Sequence, residues 1–338
     1  MPPFYEDSPN PQIGAVYMSG NATSALKASE GQTPFYVVTT HFNPHMFRSR
    51  VRLYRDFVKH MQATGATVFT VEAAFGDHPF EVTSAGNPLN LQLRTNTVLW
   101  HKERMINLGV QRLREVDPNA KTVAWVDADV TFSNPNWVDE SRHKLMHHPI
   151  IQPFSTAASL DAREEVLWTC PSSFKSFITG RGFHQEPPVP NSQIYKGHPG
   201  LAWAATMEAL NALGGLYDVC IAGSADTVMS NCLKGGWDVY LPGTPSEAVI
   251  RSIKRWSNRC NQFVRGNIGY TNGTCMHHWH GKSEERGYEK RWAILSFHNF
   301  DPDEDLVLDS QGLYRWAGNK PRLEDDMRLS LGARNEDA

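Results

Sequence analysis

Residues 122–132, TVAWVDADVTF, decide how the rest of the chain is read. Val123, Ala124, Trp125 and Val126 form a short apolar run, the mark of a buried strand, which stops on two carboxylates, Asp127 and Asp129. Val130 and Phe132 then resume it. A strand buried on both faces belongs to a sheet covered by helices, and the carboxyl ends of such strands are where these sheets bind ligands. Two ionised groups at that edge need a cation or hydrogen-bond donors. Asp-x-Asp also occurs at Asp301-Pro-Asp303 and Asp303-Glu-Asp305, but no apolar strand flanks it, and that segment reads as a solvated acidic loop.

Upstream of the Asp pair, strand and helix patterns alternate. The β-branched run Phe35–Thr40 ends at His41-Phe42-Asn43-Pro44, and a helical stripe of Phe47, Val51, Tyr54, Val58 and Met61 follows, closed by Gly65. Thr67–Phe75 is a second strand, and residues 96–115 form a helix with Leu99, Ile106, Val110 and Leu113 on one face. This predicts an α/β fold with a mainly parallel, Rossmann-like central sheet flanked by helices, in a single domain over 33–320. Residues 33–132 form its first, nucleotide-binding half and 133–320 its second, acceptor-binding and metal-completing half. Residues 1–32 are rich in Pro, Ser, Gly and Asn and read as a flexible tail, and 321–338 as a charged C-terminal tail. Downstream, residues 170–200 read as an irregular excursion, Trp203–Leu213 as a helix, IAGSAD as a turn presenting Asp226 before a short helix, and WDVYL as a strand.

The bulk properties narrow the class. With 338 residues, 40% of them hydrophobic and 20% charged, the chain can bury a sizeable core, and a net charge of −3 gives no global attraction for polyanions. Five scattered cysteines without C-x-x-C spacing fit a reduced, cytoplasmic protein, and the N-terminal sequence has neither the basic start nor the apolar core of an export signal.

A second constellation lies at TCMHHWHGK, where His277, His278 and His280 crowd beside Gly281 and Lys282. If extended, this segment puts His278 and His280 on one side and His277 on the other. A His-rich run standing alone is more often a surface cluster. Two carboxylates with one imidazole instead suit an open octahedral site for Mn²⁺ or Mg²⁺, whereas zinc would recruit more His. A nucleotide at the sheet edge would meet Thr39, Thr40, His41 and Asn43 after the first strand and Glu72 near the end of the second. Arg94, Lys102 and Glu103 could line the same crevice, and Trp203 and Trp279 could wall the sugar and acceptor.

In this order of parts the chain resembles the GT-A superfamily of nucleotide-sugar-dependent glycosyltransferases: alternating strands and helices, an apolar strand into Asp-x-Asp, a Gly/Trp segment, an acid on a short helix, and a late His beside Gly. The resemblance implies a divalent cation held against a sugar-nucleotide diphosphate by Asp127, Asp129 and His280, with His278 as rival. It also implies a catalytic base at Asp226 if the transfer inverts; a first-turn helix Asp is the competing role for that residue. Lys282 would assist at the diphosphate, as would Arg286, which otherwise reads as a solvated helix residue. The Trp-His-Gly-Lys neighbourhood is similar to phage-encoded members, some of which glycosylate modified DNA bases, which would place the protein in a host cytoplasm.

The expected activity is transfer of a sugar from a nucleotide diphosphate sugar to an acceptor hydroxyl, with a hydroxymethylated DNA base as one acceptor and a glycan or protein as the other. From Ala248 to Ser283 there are no acidic residues but six basic ones, Arg255 among them, interleaved with Trp256 and Phe263, which suits a nucleic-acid backbone; a helix face packed in the protein is the alternative. A metal-dependent phosphohydrolase and a non-catalytic sugar or nucleotide-binding module are the readings from other classes.

Overall fold

The computed structural model describes residues 33–180, 197–237, 244–281, 288–333 and 335–337. Its first half runs β1 (Phe35–Phe42), α1 (Arg48–Ala63), β2 (Ala66–Phe75), β3 (Asn90–Thr95), α2 (Lys102–Val116) and β4 (Thr122–Val126). The second half begins with β5 (Val130–Phe132), α3 (Trp137–Leu145), β6 (Ile150–Gln152), β7 (Thr156–Leu160), β8 (Val166–Pro171), α4 (Ser173–Thr179), β9 (Ala202–Thr206) and α5 (Met207–Leu213). It continues through α6 (Ala225–Leu233), α7 (Glu247–Phe263), β10 (Ile268–Tyr270), β11 (Thr274–His277), α8 (Tyr288–Phe297), β12 (Leu306–Leu308), β13 (Tyr314–Trp316) and α9 (Pro321–Gly332).

Seven strands form the central sheet in the order β10-β6-β9-β4-β1-β2-β3. All neighbours are parallel except β9, which runs antiparallel to both β4 and β6, so the expected mainly parallel α/β architecture holds. The sheet is buried on both faces. Along β1, Tyr36 and Val38 point into the core under α2, while Phe35 and Val37 pack with Phe57 and Met61 of α1 and Trp137 of α3. On α2, Gly109 is required by close packing, since a Cβ there would come within 2.6 Å of Val71 and 2.9 Å of Val38. The chain winds outward from β1 through β2 to β3, then returns to place β4 on β1's other side. Topology therefore switches direction between β1 and β4, the position at which open α/β sheets leave a ligand crevice at their carboxyl ends. A second sheet, β5-β11-β7-β8, lies beyond that edge. Among the described residues, no helix is long and apolar enough to cross a membrane.

Several sequence expectations change. Trp203 lies on β9, not a helix: Ala202–Ala205 are all buried, so no alternation of polar and apolar residues marked the strand. β3 was not anticipated, because its residues are mostly half-buried and polar. The end of the chain is not a charged tail: α9 buries Leu323, Met327 and Leu331. The acidic loop is not simply solvated either. Asp305 is 1% exposed, bonded to Lys320 Nζ at 2.7 Å and Asn319 Nδ2 at 2.8 Å. The N-terminal segment 1–32, Lys282, Arg286 and most of the WDVYL segment lie outside the described residues.

Candidate active site

The chain leaves the central sheet at Val126 and enters the second sheet at Val130, so the Asp127-Ala128-Asp129 loop bridges the two. The two carboxylates turn to different partners. Asp127 donates its backbone amide to Leu201 O (2.8 Å), and its side chain is ion-paired with Lys102 at the start of α2. A cation in the first turn of a helix opposes the helix dipole. Here burial also works against the charge of Lys102, yet the carboxylates of Asp127 and Asp226 hold its ammonium above the ordinary range. Burial raises Asp127 despite that partner. Burial also pushes Glu103 up to about 8, so this acid, 4% exposed, carries a proton at neutral pH.

Asp129 faces the histidines. Its Oδ2 lies 3.0 Å from His280 Nε2 and 3.7 Å from His277 Nε2, while the two imidazoles approach each other at 3.1 Å. Burial opposes ionisation of Asp129, but His277 and His280 outweigh it and hold the carboxyl well below its usual range. Asp129 Oδ1 is buried with no hydrogen-bond partner among the described residues. An orphaned carboxylate oxygen is costly without a cation or donor. One ligand atom each from Asp129, His277 and His280 lies within 4.8 Å of the others, so the donor set fits a divalent cation.

His277 takes the place that strand alternation assigned to His278. β11 ends at His277, so the extended geometry that would align His278 with His280 stops there. β11 pairs antiparallel with β5, His277 opposite Val130, and His278 continues the ladder by donating its amide to Asp129 O at 2.8 Å. The imidazole of His278 turns away, to Thr131 Oγ1 at 2.9 Å and towards Glu164 at 3.9 Å.

Asp226 sits in the first turn of α6, next to Ser224 in the left-handed conformation (φ 69°). Its Oδ1 accepts the Thr227 amide at 2.8 Å, and its Oδ2 lies 2.3 Å from where a Cβ on Gly200 would be. Gly200 is thus the space the carboxylate occupies. The loop around it also carries His198, which sequence reasoning missed. Burial lowers His198 to about 4, against the pull of Asp226, so its ring is neutral at pH 7. Gln152 fixes this loop by donating to His198 O and Pro199 O, and Trp203 donates to Pro199 O at 2.8 Å. That is the role of Trp203: it stacks on Trp125 at 2% exposure and cannot wall an open cleft.

The strand-end residues expected at the nucleotide are mostly engaged inside the protein. Thr39 donates to Val126 O, locking β1 to β4, and Thr40 is half-buried beside it. Glu72 accepts from the amides of Glu81, Val82 and Thr83, fixing the loop after β2. His41 and Asn43 both bond Glu81 at 2.9 Å, and Asn43 also ties down Phe47. Arg94 holds the 76–78 loop through Gly76 O and His78 O. Of the donor-side residues among those described, Lys102 is the one brought to the Asp pair.

The basic run on α7 is likewise engaged. Arg255 makes two 2.8 Å bonds to Asp303, Arg251 lies 4.0 Å from Asp301, Arg259 donates to Leu213 O, and Lys254 sits over Trp237. Arg255 is thus already paired: the acidic loop, distant in sequence, supplies its counter-charge. Trp279 does line a groove of about 550 Å³ beside the histidines, with Arg48, Arg52 and Glu336.

No family model matches the chain, and no curated protein does. Among solved structures, a glycosyltransferase involved in glycosylation of the major capsid of PBCV-1 aligns at 12% identity and a TM-score of 0.31, over 77% of this chain and 98% of that one. A 4-diphosphocytidyl-2C-methyl-D-erythritol synthase from Anaerococcus prevotii aligns at 10% identity and a TM-score of 0.32, over 71% and 89%. Likeness of this extent carries no functional argument.

Proposed function

We propose that the chain is a metal-dependent glycosyltransferase of the GT-A type, moving a sugar from a nucleotide diphosphate sugar to an acceptor hydroxyl with inversion. The observation that carries this reading is the convergence of Asp129, His277 and His280 on one partly buried centre beside the β1/β4 switch point, with Asp129 Oδ1 lacking a partner among the described residues. These three residues would hold a divalent cation; with two imidazoles and one carboxylate the donor set suits Zn²⁺ as well as the Mn²⁺ or Mg²⁺ expected from the sequence. When bound, the ion would neutralise charge gathering on a diphosphate leaving group.

The chain's own residues have separable tasks. Lys102, oriented by Asp127, directs a fixed positive charge to the crevice where the diphosphate would sit. Neutral Glu103 leaves that charge undiminished. Asp226 has one oxygen held by an amide and the other turned to the Gly200 side, an orientation suited to taking the acceptor hydroxyl's proton. Neutral His198 on the same loop lines that side without adding a competing cation.

The test is a panel of nucleotide sugars screened by thermal shift with and without Mn²⁺. A true donor at a hundred times its Kd should stabilise the protein by about 2.7 kcal/mol, and only with metal. Mass spectrometry then distinguishes transfer to an added hydroxyl from simple hydrolysis. Hydrolysis alone in the presence of every acceptor would establish a phosphohydrolase instead.

A further inference from the structure

We propose that the exposed face of α1 is a phosphate-tracking surface for a nucleic-acid strand, which makes a nucleic acid the acceptor class of the neighbouring site. Arg48, Arg52, Arg55 and Lys59 follow one another at intervals of four, three and four residues and are all exposed. At 3.6 residues per turn they fall within an arc of about 60°, and at 1.5 Å per residue they extend over about 16 Å. That is a straight row of four cations on a chain whose net charge is −3.

Acidic neighbours offset part of the row's charge without pairing with most of it. Four carboxylates line the two grooves beside it: Asp56, Glu81, Glu336 and Asp337. Glu81 is bonded to His41 and Asn43, and Glu336 forks onto Arg50 at 2.5 and 2.7 Å. Asp337 accepts the amides of Arg48 and Ser49, capping α1. These bonds orient the carboxylates without neutralising them; the row keeps its lead because, among the described residues, none of them comes within 4.0 Å of the charged nitrogens of Arg52, Arg55 or Lys59. On α7, by contrast, Arg251 and Arg255 face Asp301 and Asp303.

Position and shape select the partner. One groove, about 390 Å³, runs along Arg48, Arg52 and Arg55; the other, about 550 Å³, shares Arg48 and Arg52 and reaches Trp279, between His278 and His280. Glu336, at its end, is 3.8 Å from His280. A single phosphate cannot span a row of this length. A polymer bearing a charge at every residue can, and an aromatic ring at the inner end suits a base, since base–aromatic stacking tolerates any sequence. The row thus leads a strand towards the candidate metal centre.

The inference rests on the glycosyltransferase reading only for what happens to the strand once bound, so binding is measured without donor or metal. Full-length protein is titrated with fluorescein-labelled 20-nucleotide single-stranded and duplex DNA at increasing KCl, following anisotropy. The wild type should bind, with a log–log salt slope of about −0.7 to −0.9 per phosphate contact. R52Q/R55Q/K59Q should bind more weakly and flatten the slope by about 2 to 3, with its melting temperature unchanged. R251Q/R255Q should match the wild type in both respects. Absence of wild-type binding, or an unaltered slope in the triple variant, would overturn the proposal. So would equal displacement by polyglutamate or a sulfated glycan, which would reassign the row to an acidic protein or polysaccharide. Strong DNA binding without sugar transfer to any hydroxylated base would instead count against the enzymatic reading and leave this surface standing.

Discussion

Replacing Asp129 with Asn tests the centre most directly, because it keeps the side chain's size and removes its charge. In the native protein Oδ2 faces His280 at 3.0 Å and His277 at 3.7 Å, and buried Oδ1 has no partner among the described residues. The site is built around a full negative charge, and its loss leaves two imidazoles to hold a dication alone. Removing one partner of a buried charge pair costs about 2–5 kcal/mol. At 1.4 kcal/mol per tenfold, Mn²⁺ affinity should fall by roughly 30-fold to several thousand-fold. Isothermal titration of Mn²⁺ into wild type and Asp129→Asn at pH 7.5 measures this, with Asp303→Asn as the control from the other Asp-x-Asp pairs. Wild-type affinity in Asp129→Asn, or an equal loss in the control, would refute the assignment of the metal to this centre.

Three further outcomes follow from the same geometry. His277→Ala and His280→Ala should each weaken Mn²⁺ binding by at least tenfold while His278→Ala changes it little; equal effects of all three in calorimetry would mean the ladder geometry does not govern ligation. Asp226→Asn should lower turnover by about 10² to 10⁴ with donor affinity kept, and Gly200→Ala should do the same by displacing that carboxylate, as steady-state kinetics and donor thermal shift would show; normal turnover in both would make Asp226 only a helix-turn residue. Because burial raises Glu103 to about 8 from 4.5, the folded protein keeps a proton the unfolded chain has lost, so this contribution is complete below about pH 4.5 and disappears as pH rises through 8. Glu103→Gln should therefore remove a fall in stability of up to about 1.4 kcal/mol per pH unit across that window, visible in urea midpoints from pH 5 to 8; parallel pH curves for the two proteins would contradict it.

The sequence by itself determined the strand that carries Asp127 and Asp129, the alternation of strand and helix before it, and the short helix presenting Asp226. Each of these is written in residues a few positions apart, where a period of two or 3.6 and an apolar run report local burial directly. Tertiary structure decided which histidine joins Asp129, because that depends on where β11 stops and on its pairing with β5, some 140 residues upstream. It also joined Lys102 to Asp127 and moved Trp203 from cleft to core. The same holds for the two basic segments, which look alike in sequence. α7's charges meet Asp301 and Asp303 across a fold contact, whereas the row on α1 stays open to solvent. Local patterns fix which face of an element is buried; the partner of a charge is fixed by long-range packing, to which those short periods are blind.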